Sequence, residues 1–120
     1  MSQMLDGNYK AFTAGGALGI FTLVKLTSGV LSLAALGEEF IGVLMQEAFA
    51  AGDVCNVRLR SGSGTCKMKA SGAFSQGAVV YGRASGLIDD ISTTSAIRAG
   101  IALEAATAAN DIVEVLTGSP

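Results

Sequence analysis

The 120-residue chain is half apolar, only 15% charged and carries a net charge of −2. These values exclude a disordered segment, and they exclude a general nucleic-acid binder, which needs surplus Lys and Arg to match phosphates. The chain has no His and no Trp, so the commonest general base and zinc ligand is missing.

The start, Met1 to Gly7, lacks a basic residue followed by an apolar stretch. It reads as no signal peptide, and the protein as one made in a cytoplasm. No run of 18 apolar residues predicts a membrane span. Residues 1–12 show no period and read as an extended arm. Residues 13–120 read as a single β domain. Ala14-Gly15-Gly16-Ala17-Leu18-Gly19 has the glycines of a phosphate loop but not its Lys-Ser/Thr. Strands are expected at Phe21–Leu26 and Val30–Leu33, and a short helix fits Ala34–Glu39 or Asp90–Ala96. Further strands follow at Phe40–Glu47, Val54–Arg60, Thr65–Ala70, Ala78–Tyr81, Leu87–Ile91, Ile97–Glu104 and Ile112–Leu116. In Ile97–Glu104 the residues Ile97, Ala99, Ile101 and Leu103 alternate with Arg98, Gly100, Ala102 and Glu104, the period of a half-buried strand.

The sequence repeats itself. Ile41 to Val57 aligns without gaps on Ala99 to Val115, with Gly42/Gly100, Ala48/Ala106, Asp53/Asp111 and Val57/Val115 identical. Upstream, Ala14-Gly15-Gly16-Ala17 matches Ala70-Ser71-Gly72-Ala73. Ser28-Gly29 matches Ser85-Gly86 after a one-residue slip. The two copies span about 14–59 and 70–117. They predict two similar β-units sharing one core, related by a pseudo-twofold axis. Gly52 and Asn110 exchange at the same turn position, and both residue types tolerate positive φ. The copy also turns the glycine loop at Ala14 into a structural turn. The expected architecture is mostly β, a small barrel or sandwich of short strands built from two repeats.

Val54–Arg60, the Ser61-Gly62-Ser63-Gly64 loop and Thr65–Ala70 read as a hairpin. In that register Cys55 and Cys66 share the apolar face but stand about 13 Å apart at about 3.3 Å per residue, too far for a disulfide. They are expected as reduced, buried thiols. The other face carries Arg58, Arg60, Lys67 and Lys69. It reads as a solvated face guarding a strand edge, as a docking surface for an acidic partner, or as a nucleic-acid contact. The last lacks interleaved aromatics for stacking.

No constellation for catalysis emerges. Glu38-Glu39 and Asp89-Asp90 are adjacent in sequence, and strand neighbours point to opposite faces. Ser61 and Ser63 have no His to activate them. Two Cys without His do not build an ordinary zinc site. The reading is a non-enzyme without metal or cofactor.

The order of short motifs resembles phage capsid cement, or head decoration, proteins. These motifs are Leu23-Val24-Lys25-Leu26, Ser28-Gly29, Phe40 to Glu47, Ala50 to Asp53, Val54 to Leu59 and Gly100 to Leu116. The match covers roughly residues 10 to 117 and departs from the pattern at Gln46, Cys55 and Asn110. The resemblance implies a structural protein on the outer capsid surface of the virion, made in the host cytoplasm. It implies the major capsid protein as partner and a homo-oligomer, with a trimer favoured, and no membrane or direct nucleic-acid contact. The candidate contacts are Met4, Leu5, Tyr9 and Lys10 of the arm region, and Arg58, Arg60, Lys67 and Lys69. The competing reading is a soluble β-barrel module that binds nucleic acid or an acidic protein through the four hairpin cations.

Overall fold

Short β-branched runs punctuated by glycine leave little choice but sheet. The computed structural model describes residues 9–59, 65–91 and 97–116. Among these lie ten strands: β1 (Tyr9–Thr13), β2 (Leu23–Thr27), β3 (Val30–Leu33), β4 (Gly42–Leu44), β5 (Val54–Leu59), β6 (Thr65–Lys69), β7 (Val79–Gly82), β8 (Ile88–Asp89), β9 (Arg98–Ala102) and β10 (Ile112–Leu116). They form two five-stranded sheets, ordered β1-β5-β4-β2-β3 and β6-β10-β9-β7-β8. The second order is the first with every strand advanced by five. In each sheet the edge strands meet at one parallel bridge, Ala14 with Leu31 and Ala70 with Ile88. Each copy of the repeat is therefore a small curled barrel.

The duplication extends to single atoms. The amide of Ala14 donates to the Asp53 carbonyl at 2.8 Å, and that of Ala70 to the Asp111 carbonyl at 2.8 Å. Gly15 donates to Leu31, and Ser71 to Ile88. The glycine loop is thus a structural turn in both units. Positive φ recurs in pairs: Gly52 (95°) with Asn110 (72°), and Ser28 (53°) with Ser85 (62°). Phe21 (63°) is paired with Gly77 (90°), a conformation that is unusual for an aromatic residue.

The turn carboxylates are duplicated too. Asp53 Oδ2 accepts the amides of Phe49 and Ala50 at 2.8 and 3.2 Å. Asp111 Oδ2 accepts the amides of Thr107 and Ala108 at 2.8 and 3.2 Å, and the Thr107 hydroxyl at 2.9 Å. The Thr107 amide and hydroxyl, then the Ala108 amide, hold the Asp111 carboxyl below its ordinary value.

The interiors match position for position. The first unit closes on Ala14, Leu18, Val24, Leu31, Leu44, Ala48, Cys55 and Val57. Their counterparts Ala70, Phe74, Val80, Ile88, Ala102, Ala106, Val113 and Val115 close the second. There are thus two cores, not one shared. The second core is larger because Leu23, Ala34, Phe40 and Val43 of the first unit pack onto it. This contact is not a pseudo-twofold one. In a twofold contact each touching pair would appear twice, whereas here one face of unit one meets a different face of unit two.

Other expectations change as well. β5 pairs with β1 and β4, and β6 pairs with β10. The expected Val54–Ala70 hairpin therefore does not exist, and its two strands belong to different units. Ala34–Glu39 is a turn region rather than a helix. The 3-10 turn in the second unit lies at Ala84–Gly86, and residues 92–96 of the other expected helix fall outside the described set. Tyr9 to Phe12, assigned to the arm, form most of β1. In β9 the expected alternation is interrupted by a bulge opposite Val80 and Tyr81: Ala99 and Gly100 are buried in succession, Ala102 is buried, Ile101 is half-buried and Leu103 exposed. Ile97 and Ala99 thus meet the second core as expected, and beyond the bulge the small residues face it.

Gly42 and Gly100 sit where β4 and β9 cross their neighbours. A Cβ at Gly42 would run into the Arg58 carbonyl oxygen and stand 2.8 Å from Val57 Cγ1. At Gly100 it would run into the Leu116 carbonyl oxygen and stand 2.8 Å from Val115 Cγ1. Backbone cannot rotate away, so Gly42→Ala and Gly100→Ala are each expected to cost about 1–3 kcal/mol in urea unfolding. The lowered Asp111 carboxyl supplies stability that is full above its unfolded value and is lost as pH falls through its folded one. Asp111→Asn is accordingly expected to melt several degrees below wild type near neutral pH. Its melting temperature should begin to converge with wild type only below about pH 4 and meet it once pH has fallen through the lowered folded value.

Candidate functional site

The cations that the sequence placed on one face are dispersed. Arg58 lies on β5, opposite Tyr9 and Val43, and is only 7% exposed. It sits at the seam between the two units, close enough to Cys66 for its charge to act on that thiol. Lys67 and Lys69 lie on β6 in the other unit, opposite Glu114 and Ile112. Lys67 is exposed beside Glu114, whose Oε2 accepts the Thr65 hydroxyl at 2.7 Å. Lys69 is half-buried, and its amide donates to the Phe21 carbonyl at 3.0 Å, tying the units together. Arg60, Met4 and Leu5 lie outside the described residues. A continuous basic face from Arg58 to Lys69 is thus replaced by a buried cation in one unit and a mixed-charge strand in the other.

Tyr9 and Lys10 fare differently. Both are exposed on β1, an edge strand of the first sheet, and the Lys10 ammonium lies 6.0 Å from the centre of the Phe12 ring. The two cysteines are buried and free, as expected, but for another reason than the hairpin register. Cys55 lies in the first core and Cys66 at the edge of the second. Burial pushes both thiols above the usual range. Asp53 adds to the effect at Cys55, whereas Arg58 and the hydrogen bond to the Lys67 carbonyl oppose it at Cys66.

The carboxylates also have structural partners. Asp89 accepts the Ile91 amide at 3.0 Å and the Ser71 hydroxyl at 3.2 Å, and pairs with Arg83 at 3.1 Å. Glu38 accepts the Ala35 amide and pairs with Lys25 at 2.7 Å, which together lower its pKa. No group of three or more potential metal ligands occurs among the described residues. What the surface does offer is apolar. Phe49, Val54, Ile112 and Leu116 are exposed, and the last three fall on the outer side of the alternation in β5 and β10.

A family model described as "Phage cement protein" matches residues 6–117. The chain belongs to that family. Among solved structures it is similar to "head fiber gp8.5 N base in bacteriophage phi29", with a TM-score of 0.71 and 18% identity. That match covers 92% of this chain and 94% of the other, and it establishes a shared fold. The comparison with curated proteins gives no match. For this cement-family chain the resemblance seen in the motif order of Leu23 to Leu116 thus holds over nearly the whole sequence.

Buried thiols with raised pKa are poor nucleophiles. Cys55 and Cys66 are therefore expected to react with a disulfide reagent at least about ten-fold more slowly than free cysteine while the chain is folded. Both should titrate fully in denaturant.

Proposed function

We propose that the protein binds the outside of the assembled phage head and stabilises the shell, without catalysing a reaction. The observation that carries this reading is the family match over residues 6–117. It supports a capsid-associated structural role, and the finer statements rest on physical argument. Repetition of the shell multiplies weak contacts, so each copy needs only a modest site. The partner is the major capsid protein, met in the host cytoplasm as heads mature, and the bound form is a small homo-oligomer with a trimer favoured. With Arg58 buried, the capsid contact is assigned to the N-terminal arm with Met4 and Leu5, and to the adjoining exposed Tyr9. Nothing in the placement of the cations favours the nucleic-acid reading.

Purified protein mixed with expanded and unexpanded heads of its own phage tests this by co-sedimentation. Saturable binding to expanded heads alone is expected, with DNA release from the bound heads delayed to higher temperature. Indifference to expanded heads would overturn the proposal. Removing residues 1–8 should weaken binding by at least ten-fold while leaving the melting temperature of the free protein unchanged.

A further inference from the structure

The backbones of the two sheets are copies, but their outer faces differ in charge. On the outside of the first sheet, Ala11 of β1 stands opposite Asn56 of β5, and Thr13 opposite Val54. All four are exposed. The same positions of the second sheet hold Lys67 opposite Glu114 and Lys69 opposite Ile112. A neighbouring position follows the same rule. Gln46 Oε1 accepts the Asn56 amide at 3.0 Å, and Glu104 Oε1 accepts the Glu114 amide at 2.8 Å. The second unit thus carries Lys67, Lys69, Glu104 and Glu114 where the first has Ala11, Thr13, Gln46 and Asn56. The hydrogen bond is kept and the charge is removed.

The turn that leads into β5 differs in the same sense. Thr107 gives Asp111 both its amide and its hydroxyl, at 2.8 and 2.9 Å. Its counterpart Phe49 gives Asp53 an amide at 2.8 Å, has no hydroxyl to add, and holds its ring in water at 77% exposure. Local stability favours threonine at this corner, so the ring answers to another demand. Tyr9, 53% exposed, likewise stands where the second unit has Thr65. Aromatic residues gained and charges lost are the composition of the buried centre of a protein–protein contact. Of the exposed charges nearby, Lys10 turns to the other side of β1. Glu47 lies beside the turn, where the second unit has Ala105.

We infer that the outer face of the first unit, formed by Tyr9, Ala11, Asn56, Val54 and Phe49, docks on an uncharged apolar patch of the major capsid protein. The charged outer face of the second unit stays in solvent. Charge and position select this occupant. A buried charge without a partner is costly, so a face cleared of charge fits a surface that offers none to pair. The face also ends at Tyr9, where residues 1–8 join β1, and is therefore continuous with the contact assigned to the arm. The inference rests on the capsid reading and gives it an orientation, with the first barrel toward the shell and the second away from it.

Co-sedimentation with expanded heads tests the inference, with the second unit as the template for each change. Ala11→Lys with Asn56→Glu writes the Lys67–Glu114 pair onto the first sheet, and Phe49→Thr writes Thr107 onto its turn. The same backbone holds these residues in the second unit, so both variants should keep the wild-type circular dichroism. Phe49→Thr should melt no lower than wild type, because its hydroxyl can reach Asp53. Each is expected to weaken binding to heads by at least about ten-fold. Lys67→Ala with Glu114→Asn, made in the second unit, should bind as wild type does. Wild-type binding should weaken by less than about two-fold between about 0.1 and 1 M salt. First-unit variants that bind like wild type, or loss of binding in the second-unit variant, would overturn the inference and leave the capsid reading intact. Wild type that ignores expanded heads would overturn that reading itself. A drop in the mass of the free protein on Phe49→Thr, read by light scattering, would assign the face to contacts between copies and overturn the inference. Should the double variant fail to fold, Phe49→Thr carries the test.

Discussion

A barrel of five short strands has an inside and an outside, and this chain makes both apolar. The inside closes on its own small residues. The outside row of Leu23 and Val43 does not, and each such side chain gains about 1.5–3 kcal/mol when covered. That requirement organises the rest of the molecule. It draws the second unit against the first, buries Arg58 and Cys66 at the seam, and merges Phe40 and Ala34 into a core that is not their own. It also brings the Lys69 amide to the Phe21 carbonyl and the Gly86 amide to the Ala34 carbonyl, at 3.0 and 2.8 Å. These bonds fix how the two barrels sit against each other.

Much of this was legible in the sequence, and what was not has identifiable causes. The repeat announced two alike units. The Gly52/Asn110 exchange announced a left-handed turn, found at 95° and 72°. Strand positions followed from alternation to within a few residues. Partners did not, because a strand such as Val54–Leu59 alternates in the same way whichever strand it pairs with. The Ser-Gly stretch at 61–64 had the composition of a hairpin loop, yet it joins two units. The repeat held the remedy: β6 copies β1, so it must pair with β10 as β1 pairs with β5. The repeat is recognisable only from Ala14, just past the end of β1, so this pairing is hidden, and without it Arg58 and Lys67 fall on one face. The depth of Arg58 was not legible at all, because burial there is created by the other unit rather than by local pattern.

The fold also explains how a chain 18% identical to a phage head fibre base can share its architecture. What fixes the backbone is a short set of conditions. Small residues must stand at the crossings of Gly42 and Gly100, turn carboxylates at Asp53 and Asp111, and permissive residues at the positive-φ corners. Phe21 shows that even a corner is negotiable, since its partner position holds Gly77. The remaining surface is free to diverge toward a particular shell.

The covalent link between the units has a further consequence. Residues 60–64 carry the chain from the end of β5 to the start of β6. A connection this short holds the two barrels at an effective concentration on the order of millimolar. A contact that would fall apart between separate molecules is thereby made permanent, and its composition is released from the need to be strong. The seam can afford a buried guanidinium beside a thiol, where a freely dissociating interface would be selected for something tighter. Duplication within one chain has in effect turned a bimolecular equilibrium into a fixed part of the fold.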